Sequence, residues 1–421
     1  MTDTGPHSPV EAALAAAFTA EWGRLVSVLI RVTGDWALAE ECAAEAFATA
    51  TEHWPSDGVP ASPGAWLMTT ARNRALDRLR RSANEIRKLR EVAVTEPEYG
   101  TPADHDLDDS GVADDRLRLI FTCCHPALSP ETRVALALRT LCGLTVAEIA
   151  RAFGVSEPAM AKRLTRARAK ITHAGIPYRV PPAHLLPERL PGVLSVLYLL
   201  YFEGYAATAG PRMLREDLSA EALRLARLLA RLMPDEAEVL GLLALELFHD
   251  ARRAGRVDGA GRLVPLEEQD RSRWDGAQIA AAGELLTTAQ RRASRPGPYL
   301  LQAAVAAQHA TATSPQATDW AELARLYAAL GAVAPSPYVE LSRAVAVGMA
   351  QGPDAGLELV AAIEQSGELK GFHLLPATRA DLLRRAGRLG EAARAYQAAL
   401  ALVVNDVERD YLRRRLVEVG G

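Results

Sequence analysis

Apolar positions recur every three or four residues along most of the chain, a spacing that predicts helices and an all-α fold. From Val10 to Val32 that period is kept by Leu14, Phe18, Leu25, Val28 and Leu29. Thr33-Gly34 reads as a turn, and Asp35 as the N-cap of a helix over Trp36–Thr51. A loop, His53–Ser62, separates it from a long helix starting near Pro63, on which Trp66, Thr70, Asn73, Asp77 and Arg80/Arg81 share one face. Leu128-Ser-Pro-Glu-Thr-Arg133 reads as a helix start, with Ser129 as N-cap and Pro130 at the first helical position. Leu144-Thr-Val-Ala-Glu-Ile-Ala-Arg-Ala-Phe-Gly-Val-Ser156 has the pattern of a helix-turn-helix. Thr145 and Ser156 cap its two helices, Ile149 and Phe153 point inward, Gly154 makes the tight turn and Val155 fills the gap between helices. The second helix runs from Glu157 to Ile171. After five prolines between Pro177 and Pro191, amphipathic helices follow one another to the end.

At 421 residues the chain exceeds one ordinary core, so two or more domains are expected. A composition of 49% hydrophobic and 24% charged residues excludes wholesale disorder and fibrous structure. The most apolar stretch, Leu190–Phe202, is broken by Pro191 and too short to span a bilayer, and no Lys or Arg precedes Arg24. The expectation is a cytoplasmic protein without a membrane segment. Cys42, Cys123, Cys124 and Cys142 suit a reducing compartment. Cys123-Cys124-His125 has no companion CxxC pair and reads as structural, so no metal and no cofactor are expected. There is no nucleophile elbow, HExxH or phosphate-cradling glycine loop, which argues against an enzyme.

Charge is laid out in blocks. Residues 71–90 hold eight Lys/Arg against Asp77 and Glu85, residues 91–115 hold nine acids and no base, and Thr145–His173 holds six bases against two acids. Two nucleic-acid-facing modules joined by an acidic tether fit this layout. The implied division is 8–90, a linker 91–113, 114–175, and a helical domain 190–421.

On the basic helix, Trp66 offers a flat face for an unstacked base and Asn73 a bidentate partner for a base edge. Arg72, Arg74, Arg78, Arg80 and Arg81 can neutralise phosphates. The segment Ala65-Trp-Leu-Met-Thr-Thr-Ala-Arg-Asn-Arg-Ala-Leu-Asp-Arg-Leu-Arg-Arg81 resembles the promoter-melting helix of extracytoplasmic-function sigma factors. Asp35-Trp-Ala-Leu-Ala-Glu-Glu-Cys-Ala-Ala-Glu-Ala-Phe47 resembles their polymerase-clamp segment, with Glu41 in place of an Asp and Ala44 in place of a Gln. The resemblance implies core RNA polymerase and promoter DNA as partners. It implies polymerase contacts from Asp35, Glu40, Glu41, Glu45 and Phe47, and −10 contacts from Trp66, Arg72, Asn73, Asp77, Arg78, Arg80 and Arg81. The helix-turn-helix would read the −35 element through Ser156, Glu157, Lys162, Arg163, Arg166, Arg168 and Lys170. A helix-turn-helix regulator with a ligand-sensing helical tail is the alternative; it leaves the Trp66–Arg81 helix and the acidic linker without a use.

The long tail reads as a helical solenoid. Ala380–Leu400 resembles a tetratricopeptide repeat, with Ala380, Ala392 and Ala399 allowing close helix approach and Tyr396 filling between them. A sub-group of the same sigma factors carries such an extension. Fusion in cis suggests that the tail contacts the sigma module or the polymerase through apolar positions such as Leu197, Tyr198 and Tyr201. One polar stretch stands out: Asp270, Arg271, Arg273 and Trp274, with Tyr299, Gln302 and His309 following. It fits a buried ion-pair network fixing an irregular turn better than the alternative, a ligand or peptide groove.

Overall fold

A computed structural model describes residues 9–92, 115–153, 155–176, 178–179, 181, 183–205, 216–256, 258–259, 262 and 264–420. It is all-α, with no strand among the described residues. The chain divides into two compact units, Met1–Leu199 and Leu200–Gly421. The acidic linker, including Asp104, Asp106, Asp108 and Asp109, and the turn residue Gly154 lie outside the described residues.

In the first unit, α1 (Pro9–Thr33), α2 (Trp36–Asp57) and α3 (Pro63–Val92) pack on one another. Their shared core includes Phe18, Trp22 and Phe47, with ring centroids 4.9–6.2 Å apart. Asp35 caps α2 as expected, its carboxylate accepting from the Ala37 and Leu38 amides at 2.8 and 3.1 Å. The helix does not stop at Thr51. It continues through Pro55 to Asp57, because the Trp54 indole is buried and the Gly58 amide closes the last turn on the Trp54 carbonyl at 3.1 Å. A proline so near the helix end removes a bond that Trp54 burial offsets.

The second module comprises α4 (Asp115–Cys123), α5 (Pro130–Cys142), α6 (Val146–Ala152) and α7 (Glu157–His173). Thr145 and Glu148 form a reciprocal capping box: Glu148 accepts from the Thr145 amide at 2.8 Å and Thr145 Oγ1 from the Glu148 amide at 3.2 Å. Ser129 and Ser156 stand at the N-cap positions of α5 and α7, yet neither side chain makes a cap hydrogen bond. Helix α1 packs against α4 and α5 as well as α2 and α3. Gly23 permits this, since a Cβ there would lie 2.5 Å from the Leu141 carbonyl oxygen. At the end of α5, Gly143 adopts φ +67° with its Cα face against Phe18 and Trp22, a conformation that a side chain would strain.

Helix α8 (Leu186–Tyr205) passes through Pro191 without a break and spans the division between the units, so the proline-rich boundary ends five residues earlier than its prolines suggest. Of the apolar positions expected to make the tail's contacts, Leu197 and Tyr201 are fully buried and Tyr198 is half-buried. In the second unit α9 (Glu216–Leu232) and α10 (Ala237–Asp250) are followed by α11 (Gly276–Arg292) and α12 (Pro298–Thr311), both packed on α10. Then α13 (Trp320–Val333), α14 (Pro337–Gln351), α15 (Pro353–Ser366), α16 (Leu374–Arg385), α17 (Leu389–Leu402) and α18 (Asp406–Glu418) each pack on the next, the connectivity of a solenoid. Ala380, Ala392 and Ala399 are fully buried around Tyr396, as the repeat pattern predicts. A second close approach was not evident from sequence: Gly356 of α15 meets Gly348 and the Ala344 carbonyl of α14, where an added Cβ would stand 2.7 Å from that oxygen.

Two glycine-to-alanine changes should therefore move stability in opposite directions. Gly283→Ala, in α11 with no atom within 4 Å of the new Cβ, should stabilise by about 0.5–1 kcal/mol through helix propensity. Gly356→Ala should destabilise by about 1–3 kcal/mol through overpacking. Chemical denaturation of both variants beside the parent checks the pair.

Candidate nucleic-acid interface

Helix α3 buries Leu67, Ala71 and Ala75 and turns its other face outward. Arg72, Asn73, Arg80 and Arg81 are exposed, as is Asp77, whose carboxylate lies 3.6 Å from Arg80. Trp66 is half-buried, edge-on to Trp54 at 5.8 Å, so part of its ring belongs to the core and part faces outward. Arg78 is turned away from that face. Its guanidinium is held by Glu41 at 2.6 Å and by Glu45, and the neighbouring Arg74 binds Glu45 at 3.2 Å and Thr49 at 2.8 Å. Two acids expected to face the polymerase thus pair with bases expected to face DNA, across the α2–α3 contact.

Two further members of the expected polymerase set are internal. Phe47, predicted to pack against the polymerase, sits instead in the aromatic core with Phe18 and Trp22. Glu40 is 7% exposed, and its carboxylate joins the two modules, with Oε1 2.7 Å from Arg168 Nη2 and Oε2 3.3 Å from Arg139 Nε. Arg168, predicted to contact DNA, is thereby engaged inside the protein. The same junction is tied by Tyr178, whose hydroxyl donates to the Ser27 carbonyl at 2.9 Å with the Asp115 carbonyl at 3.1 Å, and by the Arg31–Asp115 pair at 3.1 Å. Asp35, Glu41 and, in part, Glu45 keep exposed surface on α2.

Helix α7 buries Met160, Leu164, Ala167 and Ile171 at helical spacing. That places Ser156, Glu157, Lys162 and Arg166 outside, with Arg163 half-buried and its guanidinium 5.8 Å from the Phe153 ring. Lys170 reaches the Ala127 carbonyl and is anchored within its own module. Cys123 is fully buried with Sγ 3.5 Å from Thr140 Oγ1, and burial pushes its thiol up to about 12. No cluster of metal ligands occurs among the described residues. Sequence reasoning missed Arg139, Tyr178 and Thr49; separations of up to 151 residues leave no local signal for such pairs.

In the second unit the polar stretch separates into different jobs. Asp270 caps a short turn by accepting from the Ser272 amide at 2.9 Å. Arg273 is exposed, Trp274 is buried beneath Arg271, and Gln302 donates to the Pro298 carbonyl of its own helix at 3.2 Å. The Tyr299 amide donates to Glu238, which caps α12. Arg271 and His309 meet at one cavity; Trp274, Tyr299 and Gln302 do not line it.

Two helical modules on one body, one with a long basic helix and one with a helix-turn-helix, are the parts of a sigma-70-type protein. The Sigma-70 region 2 family model matches residues 18–85 and the Sigma-70 region 4 model residues 118–171. A family of unknown function, DUF6596, matches residues 189–290. An uncharacterised protein of Rhizobium meliloti (strain 1021) is 43% identical over 418 residues, covering 99% of this chain and 96% of its own. The ECF RNA polymerase sigma factor SigL of Mycobacterium tuberculosis is 35% identical over 136 residues, 32% of this chain and 73% of that one. SigJ of the same species is 34% identical over 150 residues, 35% of this chain and 46% of that protein. No solved structure matches. The chain belongs to the extracytoplasmic-function sigma factors, with a long helical C-terminal extension. It is a sigma factor for transcription initiation, in a family that is not enzymatic.

Neutralising Glu40 leaves two largely buried guanidiniums without a counter-charge. Glu40→Gln should destabilise the first unit by about 1–3 kcal/mol and loosen its two modules. Denaturation with limited proteolysis of the 143–156 region reads both effects. Thiol alkylation should strike Cys142 first, since Cys42, Cys123 and Cys124 are buried. With its thiol protonated up to about pH 12, Cys123 should stay unlabelled in the native protein between about pH 7 and 9, as mass spectrometry will show.

Proposed function

We propose that the chain binds core RNA polymerase, recognises −10 and −35 promoter elements and helps open the duplex. The observation that carries this reading is the pair of outward-facing polar helices on one body: α3 with Arg72, Asn73, Arg80 and Arg81, and α7 with Lys162, Arg163 and Arg166. The first set, with the outer edge of Trp66, suits phosphates and unstacked bases. The second suits base edges in a major groove. Asp35, Glu41 and Glu45 are the polymerase-facing acids, and the family places the work in the cytoplasm. No single helix among the described residues is long and apolar enough to cross a membrane.

Glu40 and Arg168 cannot pair with each other and contact polymerase and DNA at the same time. In this reading the free protein is closed, and binding exchanges the internal pairs for external ones. Arg74 and Arg78 are exchanged in the same way against Glu41 and Glu45. The C-terminal domain modulates the sigma module in cis, an arrangement that covalent fusion favours through effective concentration.

Transcription in vitro with purified core polymerase tests the reading. Arg163→Ala or Arg166→Ala should weaken −35 binding by about 1–3 kcal/mol where the contact is to a base. Asn73→Ala should spare duplex binding and reduce permanganate reactivity of the bubble. Tight duplex binding without polymerase, unchanged by adding it, would establish the helix-turn-helix regulator instead. Truncation after Tyr205, which keeps α8 whole, should alter promoter output if the tail acts in cis.

A further inference from the structure

The second unit contains a cavity of about 300 Å³, at the low end of the roughly 300–1,000 Å³ typical of small-molecule sites. Trp320, Met349 and Leu382 supply an apolar wall from α13, α14 and α16. Arg271, Glu267, Asp381 and Arg385 border it with charge.

Those charges are unequally satisfied. Asp381 accepts from Arg384 at 2.6 Å and from Arg385 at 2.7 Å. Glu267 is held by Arg385 and Arg415, each at 3.0 Å. Each bordering carboxylate therefore already has two guanidiniums. Arg271 has no carboxylate: its Nη1 donates to the main-chain carbonyls of His309 at 2.8 Å and Ala312 at 2.7 Å, and its guanidinium stacks 4.5 Å from the Trp274 ring. No ion pair of Arg271 occurs among the described residues. Burial and then the nearby Arg252 push its pKa down, so the site disfavours this cation as it stands. His309 adds no second charge. Burial, with Arg252 and Arg271, lowers its imidazole to about 4, and the neutral ring lies edge-on to Trp320 at 5.6 Å.

One uncompensated guanidinium beside an apolar wall, with the local carboxylates already engaged, matches one kind of guest. We infer that this cavity binds a small organic monoanion, a carboxylate carried on an apolar body, with the carboxylate on Arg271 and the body against Trp320 and Met349. A cation would find both acids occupied, and Arg271, the one guanidinium there without a carboxylate among the described residues, balances a single negative charge. A free metabolite acid and the C-terminus of a short peptide present the same head group. Binding there is measurable whether or not the chain directs transcription.

Isothermal titration of the full chain tests the inference, with phenylacetate and hexanoate as probes and 2-phenylethanol and hexylamine as matched controls. The carboxylates should bind one per chain and at least about tenfold tighter than the alcohol, with no binding of the amine. Met349→Trp and Thr378→Leu, which fill the cavity from α14 and α16 and leave Arg271 in place, should each weaken the carboxylates about tenfold. Arg271→Gln should abolish the preference for carboxylate over alcohol; thermal unfolding reports whether each variant is folded. A Gly-Leu-Phe tripeptide with a free terminus, beside its amidated form, separates the sources: tighter binding than phenylacetate assigns the site to a peptide terminus, weaker binding to a free acid. Equal binding of acid, alcohol and amine, no binding at millimolar concentration, or undiminished binding in the folded cavity-filling variants would overturn it.

Discussion

The sigma unit is organised around a buried carboxylate. Glu40 lies between Arg139 and Arg168, and a carboxylate that deep in a protein is tolerated only when charge and hydrogen bonds replace its water. The approach of the two modules that makes the pairing possible comes from α1, which packs α2 and α3 as well as α4 and α5, and from Gly23, where a side chain would collide with α5. Tyr178 and the Arg31–Asp115 pair close the same junction. Under the proposed function Glu40 would also face polymerase and Arg168 DNA, so a closed form and an engaged form would compete for the same side chains.

Helix existence was legible because it depends on local pattern. The Asp35 cap, the Thr145–Glu148 box and the buried Ala380, Ala392 and Ala399 follow from neighbours a few residues apart. The continuation of α2 through Pro55 was not legible, because a tertiary contact of Trp54 overrides the proline. Site residues divide in the same way. The exposure of Arg72, Asn73, Lys162 and Arg166 follows from helical phase, which the sequence carries. The engagement of Glu40 with Arg168 and the placement of Phe47 in the core depend on pairings that no periodicity encodes.

The C-terminal unit shows the same limit. Its repeat character could be read from the small residues Ala380, Ala392 and Ala399 around Tyr396, whereas the polar stretch near Asp270 left both an ion-pair network and a groove open. The ion pairs gather on Glu267, Asp381, Arg385 and Arg415, and Arg271 is left at the edge of a cavity that Asp270, Arg273, Trp274, Tyr299 and Gln302 do not line.

The exchange of internal for external pairs is tested most directly by a distance between α2 and α7. Spin labels at Ala44 and Ala169, both exposed, in a background where Cys142 is replaced by serine, would report it by pulsed electron resonance. A single short distance in the free protein, lengthening when core polymerase and promoter DNA are added, is the predicted result. An identical distance in the free protein and in the transcribing complex would contradict it, since Glu40 and Arg168 would then remain paired while the complex works.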